Sequence, residues 1–154
     1  MSRLTWRSGF TALEALIVLS FFGLLITLGG LSISSARARM RDAVRLSDMN
    51  MMRAGLALGW QQQSTYPVSS GIDIGVPNVS DGLTLSGFGP LGAAQPPLLL
   101  ERVPTPPKTN EVYHYKGNAN GYSIRFETER ETFLGPPNVY YVHSGGFDAA
   151  EDLK

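Results

Sequence analysis

The chain contains no cysteine. That excludes a disulfide framework, a thiolate metal site and a cysteine nucleophile. Charge is also scarce: 17% of the 154 residues are charged, and the formal net charge is zero. A balanced chain lacks the basic footprint of a nucleic-acid binder, so no nucleic-acid partner is expected. The only histidines are His114 and His143. His114 stands among tyrosines in a strand-like run and reads as a sheet-face residue, without the orienting partner a catalytic base needs. Ser144-Gly145-Gly146 reads as a turn and lacks the Gly-x-Ser-x-Gly pattern of a nucleophile elbow. Neither a phosphate-binding loop nor a dinucleotide fingerprint occurs. These absences argue against an enzyme, and no catalytic residue, cofactor or metal is expected.

Two further absences organise the chain. Proline is missing from Met1 to Tyr66, and all ten prolines follow. Charge is missing from Ala15 to Ile33, a run of 19 residues. At about 1.5 Å per residue that run spans roughly 28 Å as a helix, close to the hydrocarbon core of a bilayer. Glu14 stands at its mouth. A carboxylate inside a membrane span costs about 2.5–3.5 kcal/mol on insertion scales and demands a partner. A secretory signal peptide would use Arg3 and Arg7 as its basic region, but its apolar run is usually about 7–15 residues and Glu14 interrupts its start. A plain membrane anchor explains the apolar run and leaves Glu14 and Gly9 without a role.

The run Gly9-Phe10-Thr11-Ala12-Leu13-Glu14 resembles the processing site of type IV pilins and of their relatives, the type II secretion pseudopilins. The resemblance implies a leader Met1–Gly9 removed by a prepilin peptidase between Gly9 and Phe10, N-methylation of Phe10, and Glu14 as fifth residue of the mature chain. The amine released at Phe10 then offers Glu14 a partner, on a neighbouring subunit or one turn away on the same helix. Ser8 stands where a basic residue or glutamine is commoner in that family, and Leu31 where many pilins carry proline. Gly29-Gly30 precedes it as a weak point, each glycine about 1 kcal/mol worse than alanine in a helix. The charge rule does not fix orientation, since Arg3 and Arg7 face Arg37, Arg39, Arg41 and Arg45 across the run. The resemblance implies a cytoplasmic N-terminus in a single-pass inner-membrane protein that becomes an extracellular or periplasmic filament. Its implied partners are the prepilin peptidase, copies of itself and other pilins, an inner-membrane assembly platform and the lipid bilayer.

Past the apolar run the helical pattern continues. Met40, Val44, Ser47, Met51, Ala54 and Leu58 recur at alternating four- and three-residue steps. This stripe predicts filament packing for Met40–Ser47 and domain core for Met51–Leu58. Arg39, Arg41, Asp42, Arg45, Asp48 and Arg53 fall mostly off the stripe and read as a solvated face. One helix is expected from Thr11 to Gln62, ended by a polar run and by Tyr66-Pro67, since proline cannot continue a helix. A Tyr-Pro exit is also common in pilin-like chains.

The fold class expected is α+β and pilin-like: one long N-terminal helix with a small antiparallel sheet on its second half. The organisation expected is 1–9 leader, 10–35 membrane and assembly helix, 36–63 amphipathic continuation and 64–154 C-terminal β domain. Within the last, Leu83-Thr84-Leu85 and Leu98-Leu99-Leu100 read as short strands or turns. Val112–Tyr115, a turn over Lys116–Gly121 and Tyr122–Glu127 read as a hairpin, with Tyr122, Ile124 and Phe126 inward and Ser123, Arg125 and Glu127 outward. Val139–Val142 reads as a third strand. Asp148, Glu151 and Asp152 lack the spacing of a calcium-binding loop and read as a solvated acidic tail.

Overall fold

The computed structural model describes residues 10–93 and 97–154. Helix α1 covers Ala12–Gln63, 52 residues. It starts where Thr11 caps it: the Glu14 N–H donates to Thr11 Oγ1 at 3.3 Å, and the Ala15 N–H reaches Thr11 O at 3.1 Å. Gly29 and Gly30 stay within the helix, so no break replaces the missing proline. The helix stops at Ser64, which takes a left-handed conformation (φ 54°) and donates its N–H to Trp60 O at 2.7 Å.

By its internal contacts the chain forms two compact units, residues 1–37 and 38–154. The described part of the first is helical from Ala12 onward. The second is α+β. It holds the rest of α1 and eight strands: β1 Ser69–Ile74, β2 Gly82–Thr84, β3 Gly87–Gly89, β4 Leu98–Leu100, β5 Tyr113–Gly117, β6 Tyr122–Glu127, β7 Val139–His143 and β8 Gly146–Asp148. Five strands form one antiparallel sheet in the order β1-β5-β6-β7-β8, and three form a smaller one in the order β3-β2-β4. The hairpin expected from the sequence is β5–β6, with His114 opposite Arg125 and Gly117 opposite Tyr122.

The core lies between the domain's part of α1 and the sheets. Met49, Met52 and Leu56 meet Tyr113, Tyr115, Tyr122, Ile124, Phe126 and Val142, all at most 2% exposed. Tyr122, Ile124 and Phe126 point inward as the alternation requires, but Ser123 is buried as well. It lies beside the place where the end of the chain returns, the Tyr122 N–H donating to Lys154 O at 3.3 Å. Two glycines let β4 approach the helix: a Cβ on Gly55 would lie 2.6 Å from Leu100 Cγ, and one on Gly59 2.8 Å from Leu99 Cδ1.

Candidate assembly surface

In the N-terminal unit the apolar side chains are uncovered. Phe10 is 75% exposed, Leu19 76% and Ile26 72%. The helix is long and apolar enough to cross a membrane. Two of its hydroxyls are satisfied internally, Ser20 Oγ donating to Leu16 O at 2.7 Å and Thr27 Oγ1 to Leu24 O at 2.8 Å. That arrangement suits a medium without water, where every polar group needs a partner within the chain. Gly9, and with it the Gly9–Phe10 bond expected to be cleaved, lies outside the described residues. Glu14 is exposed and occupies the third helical position, four residues past Phe10. Thr11 and Glu14 together form a Ser/Thr-x-x-Glu capping pattern that was legible in the sequence and gives Glu14 a local role at the positive end of the helix.

In the second unit the whole stripe of α1 is uncovered, including the Met51–Leu58 part expected in the core. Met40, Val44, Met51 and Leu58 are 69%, 45%, 46% and 48% exposed. Ser47 and Ala54 are exposed too. The stripe is therefore the outward face, and the expectation that Met51–Leu58 forms domain core is overturned. The core instead takes Met49, Met52 and Leu56, with Gly55 and Gly59 giving β4 room. From Met40 to Trp60 every exposed residue of α1 is uncharged.

Asp42, Arg45 and Asp48 are buried against the domain and Arg41 is drawn to Glu129, which overturns their reading as a solvated face, while Arg39 is exposed in keeping with it and Arg53 is half-buried. The Arg45 side chain is 1% exposed and is the hub of a six-residue ionic cluster. It reaches Asp42 Oδ1 at 2.7 Å, Glu111 Oε2 at 2.6 Å and Glu129 Oε1 at 2.9 Å. Arg41 grips Glu129 with two parallel bonds of 2.7 and 2.6 Å. Lys108 Nζ closes the cluster, 3.0 Å from Glu129 and 3.5 Å from Glu111. Asp42 also accepts from the Glu129 and Arg130 amides at 2.8–3.1 Å, tying the loop after β6 to the helix. The Arg41 guanidinium above all, with Lys108 and Arg45, holds the Glu129 carboxyl far below the usual carboxylate range. Asp48 is held above its usual range by burial, a shift partly countered by the Tyr113 hydroxyl donating to it at 2.7 Å. Two of the four arginines that weighed against a cytoplasmic N-terminus, Arg41 and Arg45, are thus bound by carboxylates within the domain.

The C-terminal acidic residues are paired. Glu151 bonds Lys116, and Lys154 Nζ lies 2.9 Å from both Asp148 and Asp152. Lys154 holds the Asp148 carboxyl down to about 2. His143, Asp148 and Asp152 bring ligand-type atoms within 4.8 Å of one another. The Lys154 ammonium already bridges the two carboxylates, so a cation from solution would have to displace it. His143 Nδ1 meets Tyr122 O at 2.9 Å, and His114 Nδ1 meets Asp73 Oδ1 at 3.0 Å. No protein-family model, curated protein or solved structure matches the chain.

Proposed function

We propose that the chain is a structural subunit of a type IV pilus-like filament. It is made as a membrane-inserted precursor, cleaved after Gly9, N-methylated on Phe10 and assembled through α1. The observation that carries this reading is the inverted helix. A soluble domain turns charge to water and apolar residues inward; between Met40 and Trp60 this helix sends Met49, Met52 and Leu56 inward but also buries Asp42, Arg45 and Asp48 and leaves Met40, Val44, Met51 and Leu58 uncovered. An uncharged face on the same helix as a 19-residue uncharged run is suited to burial against other helices. Glu14, beside the amine that cleavage would free at Phe10, supplies a charge pair between neighbouring copies. A pseudopilin of a type II secretion system is the second form of the same reading, favoured by the lack of the cysteine pair that bounds a loop in many pilins. A membrane-anchored binding domain without processing is the competing class.

Mass spectrometry of the protein from its native membrane separates the classes. The expected product begins at a methylated Phe10, and Gly9→Ala retains the leader. An intact leader on the native protein refutes the proposal. Glu14→Ala is expected to leave cleavage unchanged and to reduce filament yield; normal filaments from that variant refute the pairing role of Glu14.

A further inference from the structure

We infer that the outward face of α1 from Met40 to Leu58 is a parallel helix interface with a second copy of this chain, staggered by four residues. The inference rests on the filament reading and adds its register. The exposed stripe consists of two rows, Met40, Ser47, Ala54 and Val44, Met51, Leu58. Each row repeats every seven residues, and the mean step of 3.5 is the spacing that keeps a seam turned toward a partner helix. The rows differ in volume. In exact side-by-side register Met51 would face Met51 and Leu58 would face Leu58, while Ser47 and Ala54 would face their own copies across gaps. From Ser47 onward layers would then alternate between crowded and empty, leaving voids that a packed interface excludes.

A shift of four residues removes the mismatch. Met40 of one copy then stands level with Val44 of the next, Ser47 with Met51, and Ala54 with Leu58. The two lower layers each pair one small with one large residue. Phe10 and Glu14 are also four residues apart on the chain, so a four-residue shift in the same direction brings Phe10 of one copy level with Glu14 of the next. The register that fills the seam is the register that pairs the charge. Because one row meets the other row, the contact is head-to-tail and repeats with each added copy, which gives an open chain rather than a closed dimer.

Identical faces meet here without strong repulsion, since no exposed residue from Met40 to Leu58 is charged. The flanking residues Ala43, Asn50 and Ala57 are exposed, small or uncharged, and do not hold a neighbouring helix away. The seam is only about 27 Å long. That is too short to bury the roughly 800 Å² per partner of a stable standard interface. It therefore acts together with the uncharged N-terminal run, and the full chain is the proper test object.

The chain has no cysteine, so introduced thiols are its only ones. An epitope-tagged Ser47→Cys chain is co-expressed with an untagged Met51→Cys chain in the native membrane, oxidised and run on non-reducing gels. Ala54→Cys with Leu58→Cys gives a second, independent pair. The expected result is a mixed tagged–untagged dimer several-fold more abundant than either homodimer. Homodimers forming as readily from each variant alone would show an unstaggered contact and overturn the inference, as would the absence of dimers from both pairs. Leader removal and filament yield are scored in the same cells. Processed filaments without the mixed cross-link refute the seam and leave the filament reading standing. A mixed cross-link on chains that keep their leader supports the seam and refutes processing.

Discussion

Replacing Arg45 with methionine tests whether the ionic cluster holds the sheet domain to its helix. The substitution keeps the length of the buried stem and removes the guanidinium. Asp42 then loses its 2.7 Å cation and, with a side chain only 3% exposed, keeps just the amide donors of Glu129 and Arg130. Removing one partner of a buried ion pair costs about 3–5 kcal/mol. Here the side chains of Glu111 and Glu129 are 28% and 23% exposed and retain Lys108, and Glu129 retains Arg41. The expected cost is at the low end, about 3 kcal/mol, and falls mainly on Asp42. For a domain of this size 1 kcal/mol moves Tm by about 4 °C, so the expected fall is about 12 °C. The assay is thermal unfolding of the full chain in detergent, read by Trp60 fluorescence in a Trp6→Phe background. Trp60 stacks on Tyr66 with ring centroids 4.6 Å apart, so it reports on the domain rather than on the apolar run. Adding Asp42→Asn to Arg45→Met removes the stranded charge and is expected to recover about 1–2 kcal/mol, a coupling typical of groups in contact. A fall under about 4 °C for the single variant, or a double variant as unstable as the sum of its parts, refutes the reasoning.

Two other predictions concern the same domain. Tyr113→Phe removes the hydroxyl that donates to Asp48, leaving a buried carboxylate short of a donor, at a cost of about 1–3 kcal/mol near pH 7. Asp48 already titrates above its usual range and rises further in the variant, so the penalty is full above that raised pKa and shrinks as pH falls through it. Comparing the Tm loss at about pH 7 and about pH 5, above the ordinary carboxylate range where Glu129 begins to destabilise, reads this directly; an equal or larger loss at the lower pH contradicts it. Gly55→Ala drives a methyl to 2.6 Å from Leu100 Cγ, whereas Gly59→Ala meets only the flexible end of Leu99. Overpacking costs about 1–3 kcal/mol and the alanine returns about 1 kcal/mol of helix propensity, so the first is expected to lower Tm and the second to leave it nearly unchanged. A stabilised Gly55→Ala chain would mean that β4 does not press on the helix as described.

The long helix and the strands β5, β6 and β7 were legible because their signals are local. Freedom from proline, period-two alternation and flanking turn residues each act within a few positions. The facing of the helix was not legible, because two stripes competed and hydrophobicity alone chose the wrong one. Met49, Met52 and Leu56 share their side with Asp42, Arg45 and Asp48, and a side so charged looks wet until Glu111, Glu129 and Tyr113 arrive from far along the chain. Gly55 and Gly59, one turn apart, were the available clue, since paired glycines on one helix face mark a close approach. β1 is not legible because Gly71 and the polar residues beside it mask the strand pattern, and it is held chiefly by pairing with β5. At the candidate site, the charge of Glu14 masks the cap, because Thr11 accepts from the Glu14 amide rather than from its side chain.

The outward stripe has one more consequence. Met40, Val44, Met51 and Leu58 lie outside the core that holds the domain together. Their identities can drift with little effect on whether the chain folds, while under the proposed assembly each change alters what the helix recognises. If copies meet along that stripe, fold and recognition are written on opposite sides of a single helix, and such a chain can acquire a new companion without relearning how to fold.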